Sequence, residues 1–175
     1  PAQSVAARNS PAFRPDDPAR RAAQEILQKS GVCEGFCLDV GCGDGRLACE
    51  LVRQSKLFVI GIETDSSKVT QARQILAEAG LYGSRVTILE SAPDPDCFPN
   101  YFANLIVSSR LLDDPTTTLD PDWLKGIQRP CGGVTCLGQR GSLNVVRREA
   151  LQGAGLWTHQ NCNAANTLCS DDVLV

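Results

Sequence analysis

The chain has 175 residues, 42% of them hydrophobic and 21% charged, which suits one globular unit with a single sizeable core. No apolar run approaches the roughly 18 residues needed to cross a bilayer, so no membrane association is expected. A net charge of −3 offers no broad attraction to phosphate backbones or anionic lipids, and nucleic acid is not expected as a partner.

Residues 1–17 are rich in Pro, Ala and Ser without a hydrophobic period, and read as a linker or extended arm. The sequence starts at Pro1 and contains no Met, which suggests a natural start upstream. Asp17-Pro18 supplies an N-cap and an N1 proline for a helix through about residue 29, with Ala22, Ile26 and Leu27 on one face. A strand is expected at 36–40, apolar except for Asp39, as for a parallel strand buried on both sides. A glycine-rich turn at 41–45 leads into a helix through about residue 55, and a second apolar strand follows at 57–62. Residues 66–79 have helical spacing and stop at Gly80. Further strands are expected at 86–89, 103–108 and 134–137. Between them lie a proline-bearing loop at 92–100 and a short helix at 121–128. Beyond Gly138 the pattern predicts little, although the last residues, to Leu174-Val175, read as part of a strand.

Strands alternating with helices at this spacing predict an α/β fold, a Rossmann-like, doubly wound and mostly parallel sheet with helices on both faces. Right-handed crossovers then bring the loops after the first and second strands to one edge, where ligands bind.

Nine cysteines without a CxxC spacing argue against a zinc ribbon or a thioredoxin motif, and no metal site is expected. Several fall in predicted strands, where Cys serves as a small buried hydrophobe. Structural thiols are therefore expected, with disulfides the lesser alternative.

The informative stretch runs Phe36-Cys37-Leu38-Asp39-Val40-Gly41-Cys42-Gly43-Asp44-Gly45-Arg46-Leu47. A strand ends in three alternate glycines and enters a helix. Glycine tolerates positive φ and lets a ligand touch the main chain, while the helix N-terminus offers exposed N–H donors. A dinucleotide fingerprint needs GxGxxG, yet Arg46 stands where the third glycine should be. Asp39 also suits a cationic amino group better than a pyrophosphate. The second strand ends in Glu63, 18 residues past Gly45, close to the roughly 20 expected of a carboxylate that meets a ribose diol.

LDVGCGDGRL and VIGIETD resemble the first two motifs of class I S-adenosylmethionine-dependent methyltransferases. The likeness continues through NLIVSSRLL and LKGIQRPCGGVTCL, and covers about residues 20–138. It implies S-adenosylmethionine as cofactor, with Asp39, Gly41, Gly43 and Gly45 around its amino-acid end and Cys42 within that loop. It also implies Glu63 on the ribose and Thr64 and Asp65 along the adenosine pocket. Ser91 or Ala92 falls where the family carries an acid for the adenine amino group, and Ser108 ends the fourth strand. The missing adenine acid, and Phe102-Ala103-Asn104-Leu105 in place of F-D-x-h, predict weakened cofactor affinity or binding without turnover.

No catalytic group is evident. Ser108-Ser109-Arg110-Leu111 stands where amino-methylating nucleic-acid enzymes carry Asn/Asp-Pro-Pro-Tyr, and Pro130-Cys131 precedes the fifth strand rather than following the fourth. Arg110 is read as an exposed loop arginine, or alternatively as a contact for an anionic acceptor. His159, the only histidine, lies in a stretch, Trp157-Thr158-His159-Gln160 through Ser170-Asp171-Asp172, that resembles the entry segment of pyrroloquinoline-quinone-type β-propeller proteins. That resemblance implies a connector at 151–175 and a propeller domain downstream, in an exported or periplasmic protein. The alternative is a last hairpin of the sheet in a free-standing cytoplasmic enzyme.

The leading expectation is thus a methyltransferase domain at 18–150 acting on a small-molecule acceptor. A catalytically silent cofactor-binding or scaffold module is its rival, and a nicotinamide oxidoreductase is disfavoured by Arg46.

Overall fold

The computed structural model describes residues 17–94, 97–155 and 173. Helix α1 (Pro18–Ser30) starts as the sequence dictates: Asp17 accepts the Ala19 N–H at 2.8 Å, and Gly31, at φ 68°, ends it. Then follow β1 (Glu34–Val40), α2 (Arg46–Gln54), β2 (Lys56–Glu63), α3 (Ser66–Glu78) and β3 (Val86–Glu90). Next come β4 (Leu105–Val107), α4 (Ser109–Asp113), α5 (Pro121–Ile127), β5 (Val134–Gln139) and β6 (Ser142–Arg147). Asp65 and Asp120 cap α3 and α5 through their carboxylates, the latter with Pro121 at its first position.

The six strands form one sheet in the order β3-β2-β1-β4-β5-β6, parallel except for β6, which runs antiparallel to β5. This is the Rossmann-like, doubly wound arrangement expected. On one face Cys37, Leu57, Val59, Ile88, Leu105 and Val134 pack against Ile26 of α1, Leu51 of α2 and Leu76 of α3. Burial of each such leucine or isoleucine contributes about 2 kcal/mol. On the other face Leu38, Val40, Ile62 and Ile106 meet Trp123, Leu124 and Ile127 of α5.

Four differences from the sequence reading stand out. The fourth strand spans three residues rather than six; Ala103 makes only an isolated bridge to Gln128. Neither the five-residue helix α4 nor the strand β6 was anticipated. Burial of β1 and β2 on both sides is incomplete at their N-terminal ends, where no α-helix among the described residues of the β3–β4 connection covers them. Phe36 and Phe58 remain 48% and 46% exposed there, their ring centroids 6.0 Å apart.

The unanticipated hairpin clasps the first helix. Arg140 donates to the Pro18 carbonyl at 2.8 Å and pairs with Asp113, the Gly141 N–H reaches Glu25 at 3.0 Å, and Arg147 donates to the Ser30 carbonyl at 2.8 Å.

All seven cysteines among the described residues are free thiols. Burial pushes Cys136 up to about 11 and Cys49 to about 12, which fits inert structural thiols. No helix among the described residues is long and apolar enough to cross a membrane. Residues 1–16 of the expected arm at 1–17, and the tail beyond Gly155 with Trp157 and His159, lie outside the described residues apart from Val173.

Candidate functional site

The turn after β1 is fastened to the end of β2. The N–H groups of Gly41 and Cys42 both donate to the Ile62 carbonyl, at 2.9 and 3.0 Å, and the Gly45 N–H turns back to the Cys42 carbonyl at 3.0 Å. Gly43 donates to Glu63 Oε2 at 3.1 Å. The exposed donors expected of this loop are therefore largely engaged within the fold, because the turn has to be stitched to the neighbouring parallel strand. What it offers a ligand instead is room. Gly41 and Gly43 hold φ of 68° and 56°, and a Cβ on Gly43 would meet nothing within 4 Å.

Gly45 has a different job. A Cβ there would lie 3.1 Å from the Ala72 Cβ and 3.3 Å from Leu76, so its bareness lets α2 start close against α3. The close-packing glycine missed at Arg46 is thus supplied one residue earlier, between two helices.

Glu63, the last residue of β2, is almost wholly buried. Its Oε1 accepts the N–H of Thr64 at 2.9 Å, that of Asp65 at 3.3 Å and the Arg110 guanidinium at 2.8 Å. Burial alone would raise this carboxyl. The N–H groups of Asp65, Gly43 and Thr64, with the charge of Arg110, hold it below the usual range instead.

Asp39 is fully buried and faces α4. Its oxygens accept the Ser109 N–H at 2.8 Å and the Ser109 hydroxyl at 2.7 Å. Burial pushes its carboxyl up to about 6, against the pull of those two bonds. Ser108 caps α4, its hydroxyl donating to the Val40 carbonyl at 2.7 Å and accepting the Leu111 N–H at 3.2 Å.

Two chambers open at this edge. The larger, about 720 Å³, is lined by Gly41, Cys42, Gly43, Glu63, Ser109 and Arg110, with Asp17 and Arg140 at its far side. The smaller, about 230 Å³, is lined by Gly41, Ile62, Glu63, Thr64, Ser91, Pro93, Arg110 and Thr117–Leu119. Of the expected site residues, Gly41, Cys42, Gly43, Glu63, Thr64 and Ser91 line these chambers. Asp39, Gly45, Asp65, Ala92 and Ser108 do not: Asp39 lies behind Ser109, Gly45 packs helices, and Asp65 and Ser108 cap them. Sequence reasoning missed Ser109 and the 117–119 segment; Arg110, read as an exposed loop arginine or a contact for an anionic acceptor, is exposed but lies on α4 and pairs with Glu63. The signal available was the polar triplet Ser108-Ser109-Arg110 directly after an apolar strand.

Residues 37–129 match a family described as a methyltransferase domain. No curated protein matches the sequence. A structure from Methanococcus maripaludis, assigned as an S-adenosyl-L-methionine-dependent methyltransferase, superposes with TM-score 0.59 at 25% identity, over 69% of this chain and 55% of that one. One from Galdieria sulphuraria, assigned as a sarcosine dimethylglycine methyltransferase, gives TM-score 0.57 at 19% identity, over 67% and 45%. A SAM-dependent methyltransferase from Aquifex aeolicus gives 0.54 at 23% identity, over 71% and 67%. The chain spans about half the length of the first two.

Proposed function

Because the chain belongs to the methyltransferase domain family, we propose that its 18–150 unit is an S-adenosylmethionine-dependent methyltransferase acting on a small-molecule acceptor. The observation that carries this is the placement of Glu63. A buried carboxylate at the end of β2 lies 3.1 Å from the Gly43 N–H, at the junction of two chambers that differ in size. A carboxylate at that junction can accept both hydroxyls of a ribose. The amino-acid end of the cofactor would be held on the open side of Gly43, with Ser109 alongside. The adenosine end would be held by Thr64, Ser91 and the 117–119 segment, which line the smaller chamber. When bound, S-adenosylmethionine supplies an electrophilic methyl group on a sulfonium, and the protein's part is chiefly positioning.

One observation favours a second reading, a module that holds the cofactor without turnover. No histidine or tyrosine lines either chamber among the described residues, and burial pushes the Cys42 thiol well above its ordinary range. The groups left to take a proton are the carboxylates of the larger chamber, Asp44, Asp113 and Asp114 among them.

Calorimetry with S-adenosylmethionine, S-adenosylhomocysteine and NADH tests the cofactor. Micromolar binding of the first two, abolished in Glu63→Ala, is expected; binding of NADH alone overturns the reading. Transfer of a labelled methyl group into cell extract then separates enzyme from module. The resemblance of residues 156–175 supports a β-propeller domain downstream, which sequencing the gene beyond codon 175 tests.

A further inference from the structure

Arg110 stands where the two chambers meet. Only Gly41, Glu63 and Arg110, among the described residues, line both. The Arg110 Cβ and Nε lie 2.9 Å from where a Cβ on Gly41 would sit, so the bareness of Gly41 is what lets the arginine stem cross the cleft. Its Nη2 ends 2.8 Å from Glu63 Oε1.

The acceptor capacity of Glu63 is finite. Two carboxylate oxygens offer about four lone-pair sites. Oε1 already accepts the N–H groups of Thr64 and Asp65 and, at 3.4 Å, the Thr64 hydroxyl, all fixed at the strand end, whereas Oε2 accepts only the Gly43 N–H. The further donor on Oε1, Arg110, is the one on a long side chain that can leave. A ligand diol that takes one hydroxyl to each oxygen therefore competes with that guanidinium on Oε1, and a ligand spanning both chambers must move it aside.

We propose that Arg110 is a specificity-determining residue of the cleft, a movable partition whose displacement from Glu63 sets the affinity for any nucleoside ligand that spans the two chambers. This rests on the reading of the cleft as the cofactor site. The displaced guanidinium has a second carboxylate at hand. Asp114, which follows α4, lines the larger chamber together with Arg110, and hydrogen bonds from Thr116 and Thr117, with a smaller part from the Arg110 charge, hold its carboxyl below the usual range. The side chain exchanges Glu63 for Asp114 when the ligand enters.

Calorimetric titration of S-adenosylhomocysteine into the full 175-residue chain tests this. Arg110→Ala and Arg110→Met are each expected to bind roughly tenfold tighter than the wild type, or about 1.4 kcal/mol. Asp114→Ala is expected to weaken binding in the wild type and to change nothing in the Arg110→Ala background. Equal or weaker binding by both Arg110 variants overturns the partition. Tightening in Arg110→Ala alone also overturns it, since bulk over Gly41 rather than competition for Glu63 would then govern entry. Adding Glu63→Ala to Arg110→Ala separates the two readings. Loss of binding there keeps the cofactor assignment whatever becomes of the partition, whereas retained binding, or no binding by any variant, overturns both.

Discussion

Asp39 and Ser109 make a closed pair at the end of the sheet, with both oxygens of the buried carboxylate held by the backbone N–H and the hydroxyl of one residue. The bond fixes the start of α4, and so the point from which Arg110 reaches over Gly41. It also leaves an ionisable group fully buried.

That group makes stability depend on pH. Its pKa is raised from 3.8 to about 6, so between those values the folded chain holds a proton that the unfolded chain has released. Stability therefore falls as pH rises from about 4 to 6, and the full cost, up to about 3 kcal/mol, is present above that window. Asp39→Asn keeps a partner for both Ser109 groups, because a hydroxyl can also accept. Urea denaturation is expected to show the variant more stable than wild type at pH 7.5 and no more stable at pH 4.

Glu63 behaves in the opposite sense. Its carboxyl is held below the usual 4.5, so its contribution is complete above that pH and is lost as pH falls through the lower folded value. Glu63→Gln turns an amide donor toward the Gly43 N–H or the Arg110 guanidinium. A loss of about 2 kcal/mol at pH 7 is expected, shrinking toward pH 3, when unfolding is followed by circular dichroism.

The glycines of the turn divide cleanly. Gly45→Ala meets both a positive φ and Ala72 at 3.1 Å, and is expected to cost roughly 2–3 kcal/mol. Gly43→Ala meets only the φ penalty, about 1 kcal/mol, but puts a methyl group into the larger chamber. Thermal unfolding and S-adenosylhomocysteine titration should rank the two variants in opposite orders.

Trp123 presents a different test. Its indole N–H is buried on the α5 face with no acceptor among the described residues. An unmet buried donor costs about 1–3 kcal/mol. Trp123→Phe removes it at modest loss of volume. Chemical denaturation is expected to show a change within about 1 kcal/mol, far from the several usual for truncating a core tryptophan.

Much of this architecture was legible because its signals are local. A cap, a proline and a 3.6-residue period sit within one helix, and the turn 41–45 with Glu63 reads from spacing alone. What escaped was set across the fold. Helix α4 has five residues, too few for a period to show. Strand β6 is an edge strand whose Ser142, Asn144 and Arg147 face solvent or the clasp, so it lacks an apolar run. The prolines at 93 and 99 correctly signalled a loop. That Phe36 and Phe58, paired on the neighbouring strands β1 and β2, would stay bare is a consequence of topology. The part played by Arg110 depends on Glu63, 47 positions away, and no local pattern carries that.

The clasp of the β5–β6 hairpin on α1 bears on how the chain acquires its shape. Those bonds join residues separated by as many as 122 positions. A ribosome releases α1 well before its fasteners, so this helix must wait, held only by its apolar stripe, until the hairpin emerges. Folding should then end on a late, high-separation closing step.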